Sequence, residues 1–213
     1  MRFLVKRIKI LSILLALTVA TPLFASGLIG GYFWFGGESL QSEEKETSIS
    51  LASLGTDLSG MQYVNKSNTL GIEYYLGLGI STGGDYEIYN KHINTGGNLE
   101  SLLKGGILAH FAIPQNSSGQ FKSYIFLSAG YGFTNIRFSD YDDNRNRYKV
   151  SMIETKIGWG GIENNECMIF YLSLGFPYRF SYETTLENND ITGKFPVDSG
   201  IMIKVGISAL YPY

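Results

Sequence analysis

The chain has 213 residues, with 17 Lys and Arg against 19 Asp and Glu, two His, one Cys and 14% aromatic residues. A lone Cys167 excludes an internal disulfide framework, and the lack of a basic excess excludes nucleic acid as an expected partner. The length suits a single domain.

Residues 1–25 read as a secretory signal peptide. Arg2, Lys6, Arg7 and Lys9 form a basic start, residues 10–20 an apolar run, and Leu23-Phe24-Ala25 a cleavage site before Ser26. The run is too short for an ordinary spanning helix, and no cysteine follows it to carry a lipid. Without those four cations the chain keeps 13 basic residues against 19 acidic ones, a net charge of about −6. The fold is therefore expected in residues 26–213. No later apolar run approaches the ~18–20 residues of a membrane helix, so any membrane contact is expected to be made by strands.

In chain order, the first strand falls in 28–37, apolar on both faces. The second lies within 51–64, where alternation is poor; it is placed mainly because its neighbours must be connected. The third, TLGIEYYLGLGIST over 69–82, sets Leu70, Ile72, Tyr74, Leu76, Leu78 and Ile80 against Gly71, Glu73, Tyr75, Gly77 and Gly79. Period two is the strand period, and a helix would carry three internal glycines at about 1 kcal/mol each. The fourth, 102–113, carries Ile107, Ala109, Phe111 and Ile113 on one face.

The remaining strands repeat the pattern. Over 121–134, Ile125, Leu127 and Phe133 oppose Tyr124, Phe126, Gly130 and Gly132. Over 149–161, Ile153, Ile157 and Trp159 oppose Glu154, Lys156, Gly158 and Gly160. Over 168–180, Leu172, Leu174 and Tyr178 oppose Tyr171, Ser173 and Gly175. Over 199–211, Ile203, Val205 and Ile207 oppose Lys204, Gly206 and Ser208. Short connections at 65–68, 114–119 and 161–166 alternate with long ones at 38–50, 83–101, 139–147 and 182–198. That alternation predicts an all-β, up-and-down antiparallel barrel of eight strands.

Which face looks inward follows from the glycines. A soluble, lipocalin-like secreted barrel would turn the Gly-rich face to water, where glycine is a poor strand surface. In a transmembrane barrel the same glycines leave room in a narrow lumen, and the apolar face meets lipid. The lipid-facing set is then Leu70, Ile72, Leu76, Leu78, Ile125 and Leu127, continued by Ile157, Leu172, Leu174, Ile203, Val205 and Ile207. Phe133, Tyr148, Trp159, Tyr178 and Tyr211 fall near strand ends, as an aromatic girdle would. Glu73, Glu154, Lys156 and Lys204 point into the lumen, where charges persist only if paired. Lys204 paired with Glu154 or Glu73 is expected to plug the interior; an ion path is the competing use of the same charges.

No cofactor is expected. Gly77-x-Gly79 lacks the third glycine of a dinucleotide fingerprint, and no GxSxG, HExxH or CxxC occurs. His92 and His110 have no metal-ligand spacing. Asn65-Lys66-Ser67 and Asn116-Ser117-Ser118 match the glycosylation pattern but read as polar turns.

The last strand, Lys204-x-Gly206-x-x-Ala209-x-Tyr211, resembles the terminal signal of outer-membrane barrels, although the aromatic is normally last there and Pro212-Tyr213 follows here. With signal, length and loop alternation, residues 26–213 resemble the small barrels of the OmpX, OmpA-transmembrane and OmpW type. The resemblance implies an outer-membrane location, contact with outer-membrane lipid, and recognition of Lys204, Gly206, Ala209 and Tyr211 by the barrel assembly machinery. It also implies a surface or structural role through long loops that could hold a ligand; the alternative is a narrow pore for small or apolar solutes. Some such barrels are lipid-modifying enzymes with His and Ser at the outer rim. Only His92 with Ser101 would fit, and the chain is not expected to be an enzyme.

Overall fold

The computed structural model describes residues 26–42, 47–88, 91–93, 99–118, 121–139, 145–163, 166–186 and 189–212. The expected signal peptide and Tyr213 lie outside that set. In chain order the strands are β1 (Ser26–Ser42), β2 (Thr47–Tyr63), β3 (Leu70–Ile88), β4 (Lys91–Ile93) and β5 (Glu100–Ser118). They continue as β6 (Phe121–Ser139), β7 (Arg145–Glu163), β8 (Glu166–Leu186), β9 (Asn189–Pro196) and β10 (Ser199–Pro212). Every pairing is antiparallel, and β10 pairs both β1 and β8, so eight long strands close into a barrel. Short β4 adds to β3. Because β9 and β10 both pair β8, they form one interrupted strand, broken at Val197 and Asp198.

Closure leaves no strand edge in the long-strand ring, the condition for a sheet to sit in hydrocarbon. The chain ends and the turn at residues 64–69 share one rim, called inner here. In that turn the Asn65 side-chain oxygen accepts from the backbone N–H groups of Thr69 and Leu70, both at 3.0 Å. Its amide donates to Ser67 and Thr69 hydroxyls at 2.8 and 2.7 Å, so Asn65 is a turn residue.

The long connections of the sequence reading are corrected by the strands themselves. β1 runs to Ser42 and β2 begins at Thr47, leaving residues 43–46 between them. Most of 182–198 is likewise strand, as β8 and β9. Strands of 17 to 21 residues in β1–β3 and β5–β8 exceed what a bilayer requires. At ~3.3 Å per residue and a tilt of ~45°, nineteen residues rise roughly 40 Å, against an apolar band of ~25 Å. The upper part of the barrel therefore stands clear of the membrane.

The exterior of the lower barrel is apolar. Leu58 is 77% exposed and Leu78 68%, and Leu70, Ile72, Leu76, Ile125, Leu127, Ile157, Leu172, Ile203, Val205 and Ile207 are also exposed, with Leu174 half-buried. The inward glycines sit against aromatic rings: a methyl at Gly206 would overlap Tyr171, and one at Gly158 would overlap Phe126. Such a belt of large apolar side chains is incompatible with a water-facing exterior.

Candidate functional site

Among the described residues, the lumen gathers the charged side chains held out of water. Register decides their partners. Lys204 on β10 opposes Ser173 of β8, and Glu154 on β7 opposes Gly175, the next inward position along β8. The Lys204 ammonium lies 2.9 Å from Glu154 across that strand. The Ser173 hydroxyl donates to the same carboxylate at 2.7 Å, and the Tyr75 hydroxyl donates to its other oxygen. Lys156 pairs with Glu73 at 2.6 Å and lies 4.3 Å from the centre of the Tyr75 ring. Tyr75 thus joins the two pairs. Its oxygen holds Glu154 while its π-face meets Lys156.

A third pair completes the network. The Trp34 indole N–H donates to Asp57 at 2.7 Å, the Lys104 ammonium stands 2.9 Å from the other Asp57 oxygen, and the same ammonium lies 3.6 Å over the Trp34 ring. One step higher, the Thr134 hydroxyl donates to Glu38 at 2.9 Å. Sequence reasoning missed Asp57, Lys104 and Glu38. Lys104 shares the inward parity of Leu102 and Leu108 and could have been found; Asp57 sits in the strand whose alternation is obscured.

Above this polar layer the lumen changes character. Leu40, Ile49, Leu102, Ile136, Val150 and Phe180 are fully buried inside the outer part of the barrel. Tyr148 and Tyr182 join them, with ring centres 6.1 Å apart, and Phe195 of β9 stacks 5.7 Å from Tyr182. Tyr148 is therefore not a girdle residue. Even positions of β7 face inward, and at 0% exposure Tyr148 belongs to this inner core. Phe133, Trp159, Tyr178 and Tyr211 lie on the exterior, the first half-buried and the others exposed.

At the inner rim the lumen opens. A cavity of about 550 Å³ is lined by residues including Leu28, Tyr63, Ala112, Lys122, Tyr124 and Pro212. Beside it the Cys167 thiol is buried, 3.2 Å from the Tyr124 hydroxyl. His110, one inward position deeper than Ala112 on β5, is buried, bonds Ser128 through Nδ1 at 2.9 Å and packs on Phe126 at 5.1 Å. Ser101 is exposed on β5, and His92 lies in β4 with its side chain outside the described set. Among the described residues no cluster of three or more His, Cys, Asp or Glu has metal-holding geometry. Of the terminal motif, Lys204 and Gly206 face inward, while Ala209 and Tyr211 face outward beside Gly31 and Ile29 of β1.

No protein-family model matches the chain, and no curated protein is similar to it in sequence. Solved structures are similar in fold. A major outer membrane protein from Thermus thermophilus superposes with a TM-score of 0.54 at 10% identity, over 89% of this chain and 100% of that one. The outer membrane protein OprG from Pseudomonas aeruginosa superposes with a TM-score of 0.57 at 11% identity, over 89% and 96%. The fold is that of an outer-membrane β-barrel. Closed strands with an apolar exterior place this chain in the outer membrane.

Proposed function

We propose that the chain is a closed outer-membrane barrel acting at the cell surface, as a structural or interaction protein and not as a pore. The observation that supports this is the filled lumen: a paired ionic layer roofed by an apolar core built from Leu40, Ile136, Tyr148, Phe180 and Tyr182. Water does not thread an apolar core at native packing density. Planar-bilayer recording of the refolded protein tests it, with no steady conductance expected. A large, steady wild-type conductance would move the function to transport of small or apolar solutes, a reading that the inner-rim cavity supports.

In this reading residues 1–25 direct export and are removed before Ser26, which N-terminal sequencing of the membrane fraction checks. The lipid-facing set forms the membrane belt, with Phe133, Trp159, Tyr178 and Tyr211 at its borders. The terminal motif at Lys204, Gly206, Ala209 and Tyr211 guides assembly. Deleting residues 211–213 then removes the heat-modifiable folded band and leaves precursor in the periplasm; normal assembly of that deletion would count against the motif.

A further inference from the structure

The inner end of the barrel is built unlike the rest of its lumen. The buried Glu73–Lys156 pair and Tyr32 close the interior above the cavity of about 550 Å³, so its way out is the inner rim. Aromatic side chains could fill such a space, but register lays them against the walls. Tyr124 of β6 opposes Gly160 of β7, and a methyl at Gly160 would overlap the Tyr124 ring. The ring therefore lies over the glycine, with its hydroxyl 3.2 Å from the Cys167 sulfur of β8. Tyr63 of β2 opposes Gly71 of β3, with its ring 3.4 Å from where a Gly71 methyl would stand. On β5, between these two walls, Ala112 supplies only a methyl.

The lining has the chemistry of a ligand site. Leu28, Tyr63, Ala112, Tyr124 and Ile162 give apolar walls, and the volume lies within the ~300–1,000 Å³ of small-molecule sites. Polar groups gather at the mouth: Ser67 and Asn68 from the β2–β3 turn, Gln115 from β5 and Lys122 from β6. Lys122 shares the inward parity of Tyr124 and Phe126 and opposes Ile162, itself partly buried against the core. Among the described residues of the lining it is the charged one; the side chains of Glu163 and Glu166 lie outside the described set. Deeper in, His110 meets Tyr63 edge-on at 6.3 Å, and its Nε2 is buried without a hydrogen-bond partner. Native interiors rarely leave such an atom orphaned, and a polar molecule entering past Tyr63 would supply its partner.

We infer that the inner-rim cavity binds a small amphiphilic carboxylate from the periplasm, its apolar body between Tyr63 and Tyr124 and its carboxylate at Lys122. This site is separate from the surface role proposed above and shares with it only the orientation of the barrel in the membrane.

The test places the refolded full chain in phosphatidylcholine nanodiscs and titrates 4-phenylbutyrate by calorimetry, with empty nanodiscs as the blank. Wild type should bind the acid saturably. It should bind 4-phenylbutanol and 4-phenylbutylamine about fivefold more weakly, the upper range of an exposed ion pair. K122Q should erase that preference. A112F, which fills the cavity, should abolish binding of all three while the heat-modifiable band stays folded. If A112F does not fold, A112L should weaken binding in the same direction. No saturable binding beyond empty nanodiscs, equal affinity of wild type for acid and amine, or unchanged affinity in the Ala112 variant would each overturn the inference. Steady conductance with binding intact would overturn the closed lumen alone, and failure of wild type to enter nanodiscs would overturn the membrane reading and this site with it.

Discussion

Within β7 alone, two stretches of one strand obey opposite rules. From Arg147 to Val150 the outward residues are Arg and Lys and the inward ones are Tyr148 and Val150. From Ile153 to Trp159 the large outward residues are Ile153, Ile157 and Trp159, while Glu154 and Lys156 face inward. The backbone alternation never changes; the solvent does. Above the membrane the barrel packs an apolar core like a soluble protein, and within it the same barrel is inside out. The comparison shows that face polarity in a strand reports its surroundings and not its geometry.

Removing a charge from the membrane half should have the largest effect. Glu154→Ala leaves Lys204 without its carboxylate and is expected to cost ~3–5 kcal/mol, read by urea unfolding in phospholipid vesicles. The double replacement Glu154→Leu with Lys204→Met removes both charges and should cost much less, which sharpens the point that the pair matters because it is buried. In the upper half the equivalent loss is apolar. Phe180→Ala opens a cavity among Val150, Tyr182 and Phe195 and should also cost about 3–5 kcal/mol, with no rescue by a second substitution.

Outward positions should divide the same way. Leu76→Arg places a cation in the membrane belt and is expected to cost ~2–4 kcal/mol in vesicles. Lys149→Leu, outward at the upper level, should shift stability by no more than ~0.5 kcal/mol. If Leu76→Arg folds as stably as wild type, the boundary between the two halves lies elsewhere.

This inversion also explains where the sequence misled. In β2 the apolar residues Ile49 and Leu51 face inward above the membrane, whereas Leu54 and Leu58 face outward within it. The apolar parity switches mid-strand, and a period-two pattern that switches face reads as poor alternation. In β8 the apolar residues keep to even positions, and the register irregularity near Pro177 instead turns that set from outward at Leu172 to inward at Phe180. Strands consequently looked as though they ended where the membrane does, and their upper parts read as long loops.

What the sequence by itself determined is local: the period of the membrane strands, the outward set from Leu70 to Ile207, and the inward parity of Glu73, Glu154, Lys156 and Lys204. Each follows from neighbours on one strand, because alternate Cβ atoms leave opposite faces. Partner choice was beyond its reach. Lys204 meets Glu154 across β8, Lys156 meets Glu73, and Lys104 meets Asp57 under Trp34. These pairs join strands up to 83 residues apart and depend on the stagger that closes the ring. The cations Arg137, Arg147, Lys149 and Lys194 are likewise set side by side by register, through the consecutive pairings of β6, β7, β8 and β9.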